Sequence, residues 1–187
     1  MPINVPNTLT IIRILLAPLF VIFLLKKMFV ASLLVIAFAG ASDGMDGLLA
    51  RWLNQRTLLG AYLDPIADKL LLLSAFICLA IIKIVPAWLT VIVLTRDVII
   101  LLGVAVISIF GIKVRIKPSI VSKCTTLVQI ITVIFTLLDL TLLAAPAVLN
   151  VLFWATAAFT AASGLHYIFV GMNILQNALA DEAQNQR

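Results

Sequence analysis

Four aspartates, Asp43, Asp46, Asp64 and Asp68, fall within one short stretch of a chain that has only eight acidic residues in all. The stretch reads DGMDGLLARWLNQRTLLGAYLDPIAD. On a helix, Asp43 and Asp46 share a face with Gly47, Ala50 and Arg51, and Asp64 shares one with Asp68, with Gly60 a turn earlier. Asn54, Gln55, Arg56 and Thr57 between the two sets read as a polar turn. Two antiparallel helices would then aim four acids at a common point. Carboxylates that close cannot all stay ionised in low-dielectric surroundings without cations. Oxygen donors with no His or Cys beside them suit Mg²⁺, Mn²⁺ or Ca²⁺ rather than zinc or copper. Four formal negative charges balance two divalent ions, an arrangement that clamps the attacking and leaving oxygens of a phosphoryl transfer. Gly47, Ala50 and Gly60 have two readings: room for a bulky ligand against the backbone, or close helix packing in a bilayer.

The elements that position these acids are apolar helices. The chain has 187 residues, 64% hydrophobic and 11% charged, with a mean hydropathy of +1.23, against about 25% charged residues in soluble domains. A bilayer-spanning helix takes about 20 apolar residues. The composition therefore predicts an all-α integral membrane protein of about six transmembrane helices, a single domain over residues 1–187, with no room for a soluble domain. Spans are expected at 9–25, 29–41 (running on into the acids), 60–82, 88–110, 125–138 and 146–175, the last with a polar tail. Asn7 is placed to cap the first, and Pro65 predicts a local bend in the third. Residues 1–7 show no basic region followed by a cleavage site, so no removable signal or transit peptide is expected.

Charge sets the orientation. With six spans, Arg51, Arg56, Lys113, Arg115, Lys117, Lys123 and Arg187 lie on one side, and Lys26, Lys27 and Lys83 on the other. The richer side is cytoplasmic by the positive-inside rule, so the acids open between the second and third helices at the cytoplasmic surface. Anionic headgroups and phosphate-bearing substrates account for the net charge of +5 without a nucleic-acid partner.

A second polar cluster lies further on. Arg96 and Asp97 interrupt a hydrophobic run, where ionisable groups are functional or paired with each other. The stretch IKVRIKPSIVSKCTTLVQ follows, with Lys113, Arg115, Lys117 and Lys123. It is either an ordinary basic loop or an anion site, and Thr126 and Gln129 continue the polar face of Lys123 into the next span. Arg13 either snorkels to headgroups or lies at the mouth of the site. Cys78 and Cys124 read as small apolar fillers and the single histidine, His166, as structural. Trp52, Trp88 and Trp154 suit an interfacial belt. Asp139 reads as solvated at an outer turn, and Asp181 and Glu182 as part of a polar tail.

The pattern Asp43-x2-Asp46-Gly47-x2-Ala50-Arg51-x8-Gly60-x3-Asp64-x3-Asp68 resembles, at every position, the signature of the CDP-alcohol phosphatidyltransferase family. The resemblance implies an integral-membrane enzyme, commonly a homodimer, that moves a phosphatidyl group from CDP-diacylglycerol to an alcohol and releases CMP. It implies two ions of Mg²⁺ or Mn²⁺ on the four aspartates and a general-base role for Asp68. It further implies a cytidine diphosphate site formed by Asp46, Gly47, Ala50, Arg51 and Gly60. Pro6-Asn7-x2-Thr10-x2-Arg13 resembles the opening of many glycerol-accepting members. Thr95-Arg96-Asp97, followed by Arg115-x-Lys117-Pro118-Ser119-x2-Ser122-Lys123-x2-Thr126-x2-Gln129, looks like the cardiolipin synthases, whose acceptor is phosphatidylglycerol. Phosphatidylglycerophosphate synthases share the last element but carry a further arginine where this chain has Ile100-Leu101-Leu102-Gly103. Arg96, Arg115, Lys117 and Lys123 are the expected acceptor-binding residues, and a bacterial cytoplasmic membrane is the expected location. Two rivals fit less well. An ion-coupled transporter predicts internal repeats and broken helices, and an intramembrane prenyltransferase resembles a longer chain with two separated acidic motifs.

Overall fold

A computed structural model describes residues 5–53, 58–109, 120–143 and 145–185, with side chains described at 12, 14–40, 42, 69–107, 120–142 and 145–176. The described residues form helices and no strand. These are α1 (Val5–Leu25), α2 (Phe29–Leu53), α3 (Leu58–Ile81), α4 (Ala87–Ile109), α5 (Ile120–Leu138), a π-helical turn (Asp139–Leu143) and α6 (Pro146–Asn185). Helices are what this composition demands, because a backbone surrounded by apolar side chains and lipid has to satisfy its N–H and C=O groups within its own segment. Among the described residues, three stretches are long and apolar enough to cross a membrane: Ala87–Ile107, Ile120–Leu142 and Pro146–Gln176. Shorter apolar helical stretches are Ile14–Leu25, Phe29–Gly40 and Lys69–Ile81.

Large apolar side chains point outward along these helices, among them Leu15, Leu34, Phe38, Val91, Leu101, Leu127, Val151 and Phe169. Hydroxyls and amides point inward: Ser32, Thr125, Gln129, Thr132, Thr136, Thr156, Thr160 and Ser163 are buried. A soluble domain has the reverse polarity, whereas helices packed in lipid bring small and polar residues to their interfaces. The chain is a membrane protein whose described residues are helical.

The chain divides into two units, Met1–Ala87 with Ile130–Leu149, and Trp88–Gln129 with Asn150–Arg187. In the first, α1 packs on both α2 and α3. Its core takes Ala17, Phe20 and Leu24 from α1, Val35, Ile36 and Ala39 from α2, and Leu71, Ala75, Phe76 and Leu79 from α3. Within each helix these residues recur at spacings of three, four or seven, with Val35–Ile36 and Ala75–Phe76 as adjacent pairs that widen the buried face. The hydroxyls of Ser42, Ser74 and Thr136 donate to carbonyls one turn back on their own helices, and that of Ser32 to the Met28 carbonyl just ahead of α2, which satisfies them without a partner helix.

Both α1 and α3 end in the same way. The Met28 N–H reaches back to the Phe23 carbonyl and Lys27 N–H to Leu24; Ile84 N–H reaches Leu79 and Lys83 N–H reaches Ala80. This is the Schellman closure, whose turning residue adopts a left-handed conformation. Here the turning residues are lysines, Lys27 at φ 57° and Lys83 at φ 61°, where glycine would sit without a Cβ penalty.

The expected spans hold as helices, with shifted ends. α1 begins at Val5, so Asn7 lies inside it rather than at its cap. α3 runs on through Pro65. α5 begins at Ile120, ahead of the expected 125, because the Thr125 and Thr126 hydroxyls fold back onto the Val121 and Ser122 carbonyls and do not interrupt the helix. Asp139 is not merely solvated: its carboxylate accepts the Ala145 N–H and so closes the turn ahead of Pro146. The polar tail after 175 stays helical to Asn185.

Replacing Lys83 by glycine should stabilise the protein by about 1 kcal/mol by removing the left-handed strain. Thermal unfolding in detergent checks this, and an unchanged or lower midpoint would contradict the strain argument.

Candidate active site

The aspartates stand on unbroken helices. α2 continues from Phe29 through Asp43 and Asp46 to Leu53, and α3 from Leu58 through Asp64 and Asp68 to Ile81. Spacings of three and four residues therefore count along intact helical backbone, as the sequence reading requires. At about 1.5 Å per residue, Asp43 is about 21 Å from the start of α2 and Asp68 about 20 Å from the end of α3. Each pair thus occupies the end of its helix remote from Lys27 or Lys83. The side chains of Asp43, Asp46, Ala50, Arg51, Asp64, Asp68 and Arg13, with Gly47 and Gly60, lie outside the described residues, and Arg115 and Lys117 lie outside them altogether. Among the described residues there is no cluster of three or more His, Cys, Asp or Glu side chains.

In the second unit the structure builds a polar centre around Arg96, which is only 4% exposed. Its Nη1 lies 2.7 Å from Asp97 Oδ1. Its Nε and Nη2 both donate to Ser163 Oγ, at 3.3 and 3.2 Å, and Nη2 also donates to Ser122 Oγ. The guanidinium carbon lies 5.9 Å from the centre of the Tyr167 ring. An unpaired guanidinium in apolar surroundings carries a desolvation penalty of several kcal/mol. The neighbouring carboxylate neutralises it, hydroxyls satisfy the fork, and a ring face covers one side. Four of the five N–H donors are engaged by described residues.

This centre ties three helices together. Trp88 stacks on Trp154, with centroids 5.1 Å apart. Arg96 bonds Ser163, and further along, Gly103 and Gly171 wall the same cleft with Tyr167. The partners advance together along both helices, so α4 and α6 run parallel and in step. α5 runs the other way beside them: Ser122 meets Arg96, Thr125 donates to the Phe159 carbonyl at 3.0 Å, and Gln129 Nε2 donates to Thr160 Oγ1 at 3.1 Å.

Of the expected acceptor residues, Arg96 is therefore buried in its own network, and Lys123 is exposed on α5 one residue beyond Ser122. Gln129 is buried and directed at Thr160 of α6, whereas Lys123 at the other end of the expected polar face is exposed. Cys78 is buried and Cys124 exposed, both as free thiols. His166 lies exposed, edge-on to Tyr167. Sequence reasoning missed Ser163, Tyr167 and Thr160. Their signal was a stripe on α6, where Thr156, Thr160, Ser163 and Tyr167 follow helical spacing through an otherwise apolar run.

A model of the CDP-alcohol phosphatidyltransferase family matches residues 3–162. The chain belongs to that family. The match takes in all four aspartates, Arg96, Lys123 and Thr160, and ends one residue before Ser163. The chain is 33% identical over 192 residues to a cardiolipin synthase (CMP-forming) of Rattus norvegicus, covering 94% of this chain and 64% of the relative. It is equally 33% identical over 185 residues to a probable phosphatidylglycerophosphate synthase of Mycobacterium tuberculosis H37Rv, covering 95% of this chain and 83% of the relative. A third relative, a CDP-diacylglycerol–glycerol-3-phosphate 3-phosphatidyltransferase of Pseudomonas fluorescens, is 44% identical over 79 residues, 41% of this chain and 40% of the relative. The chain thus spans about two thirds or less of the length of several of the curated relatives it matches.

Removing the counter-charge of Arg96 should be costly to this phosphatidyltransferase fold. Asp97→Ala is expected to destabilise it by about 3 kcal/mol, the scale for one partner lost from a buried pair. Thermal melting in detergent micelles checks the value, and a loss under about 1 kcal/mol, as for a surface pair, would contradict the pairing.

Proposed function

We propose that the chain transfers the phosphatidyl group of CDP-diacylglycerol to a hydroxyl of phosphatidylglycerol, forming cardiolipin and releasing CMP. The observation that carries this reading is the aspartate signature, laid out on two unbroken helices inside the region that the family model matches. The single domain spans residues 1–187, crosses the membrane about six times, and opens its site between α2 and α3 at the cytoplasmic face of a bacterial membrane, as a homodimer.

Asp43, Asp46, Asp64 and Asp68 would hold two divalent cations. The donor set fits: hard carboxylate oxygens, paired at helical spacing, with total formal charge matching two Mg²⁺ or Mn²⁺. Such ions, when bound, neutralise the pyrophosphate and the charge that develops on departing CMP. Asp46, Gly47, Ala50, Arg51 and Gly60 surround the cytidine diphosphate, with Arg51 on phosphate. The acceptor hydroxyl oxygen attacks the phosphatidyl phosphorus, the bond from that phosphorus to the CMP oxygen breaks in line, and Asp68 takes the hydroxyl proton. Lys123, Arg115 and Lys117 receive the acceptor phosphate, and Arg96 offers the N–H that its partners among the described residues leave uncommitted.

The acceptor assignment rests on Ile100-Leu101-Leu102-Gly103, which lacks the arginine of the glycerol-phosphate enzymes, and on the rat relative's name. A second reading, glycerol 3-phosphate as acceptor, is favoured by the mycobacterial relative, of which the chain covers 83%.

Substituting any one of the four aspartates by asparagine should lower CMP release from CDP-diacylglycerol by ~100-fold or more, on the scale of losing one electrostatic stabiliser of a transition state, while the unfolding midpoint persists. Chelation should abolish release and Mg²⁺ restore it. A fully active Asp68→Asn protein would refute the base assignment, and full activity in all four variants would refute the site.

A further inference from the structure

The first unit carries cationic charge that phosphatidyl transfer does not use. Lys26 and Lys27 are exposed, and no carboxylate among the described residues pairs with either. The carboxylate of the π-helical turn that packs against α2, Asp139, is engaged by the Ala145 N–H. Lys27 lines an open groove of about 560 Å³, together with Met28, Val30, Leu34, Leu140 and Thr141. Val30, Leu34 and Leu140 expose their apolar side chains there.

Depth and conformation both point to what the groove takes. α1 has 21 residues and is about 31 Å long, close to the hydrocarbon thickness of about 30 Å. Lys27, just past its end, therefore stands at headgroup depth, at the end of α2 remote from Asp43 and Asp46. It also holds a left-handed backbone that glycine would adopt more easily. What lysine supplies in return is charge. A cation at headgroup depth over an apolar groove complements an amphiphile with an anionic head and an alkyl chain.

We propose that this groove binds an anionic phospholipid in the leaflet opposite the aspartates, with its phosphate on Lys27 beside Lys26 and an acyl chain along Val30, Leu34 and Leu140. Lys83 supplies the internal control, because it has the same strained conformation and does not line the groove.

The test is the unfolding temperature of the full chain in nanodiscs of phosphatidylcholine, alone or mixed with phosphatidylserine, an anionic lipid that is not the proposed acceptor. In phosphatidylcholine alone, Lys27→Gly and Lys83→Gly should both melt higher than the parent, since both lose strain. Added phosphatidylserine should raise the midpoint of the parent and of Lys83→Gly by several degrees, and most of that shift should be lost in Lys27→Gly. Lys27→Gln should lose it too, which keeps the test open if the glycine variant fails to fold. An equal phosphatidylserine shift in all variants, or no shift in the parent, would overturn the proposal and leave Lys27 as a helix cap only. An equal shift from inorganic phosphate in phosphatidylcholine discs would also overturn it, because the groove would then not be recognising a lipid.

Discussion

The structure depends on where an apolar chain can keep its charges. Helices solve the backbone problem in lipid, but each ionised side chain must reach an interface, a partner or a substrate. Lys26, Lys27 and Lys83 solve it by standing at helix ends. Arg96 has no such exit. It is neutralised by the residue next to it in sequence, so its charge is compensated locally before any helix packs. Its remaining donors then find Ser122 and Ser163 on two other helices. A buried guanidinium thereby fixes the register of α4, α5 and α6, with Trp88–Trp154 and Thr125–Phe159 completing the alignment.

The same economy separates the two ends of the first unit. α2 and α3 each carry their acids toward one end, while α1 and α3 close at the other on strained lysines. Carboxylates at one end suit chemistry on a metal-bound pyrophosphate; lysines at the other suit headgroups. Ser122 joins structure to the proposed chemistry in the second unit. It is held by Arg96 and is followed directly by exposed Lys123, so the brace that orders the helices lies one residue from a proposed acceptor cation.

Much of this was legible in the sequence, for identifiable reasons. The helical class follows from composition, and the helix ends at 25 and 81 follow from the lysines beyond them and from Pro86. The aspartate pairs could be placed because helical spacing is local. The pairing of Arg96 with Asp97 was open to a reader for the same reason. Ser163 was not, because its link to Arg96 joins residues 67 apart and depends on how two helices slide along each other. Neutral hydroxyls announce no partner: they satisfy themselves on their own helix, as Thr126 does, as readily as they bridge to another. Asp139 was misread on similar grounds, since the π-helical turn that aims it at Ala145 has no sequence signature of its own.

The central claim is the transfer from CDP-diacylglycerol to a lipid acceptor, and acceptor-dependent CMP release tests it most directly. Purified protein with Mg²⁺ and CDP-diacylglycerol would be given phosphatidylglycerol or glycerol 3-phosphate in separate reactions. The account predicts CMP release with phosphatidylglycerol and formation of cardiolipin. Release with glycerol 3-phosphate alone would contradict the acceptor assignment, and no release with either would contradict the account as a whole.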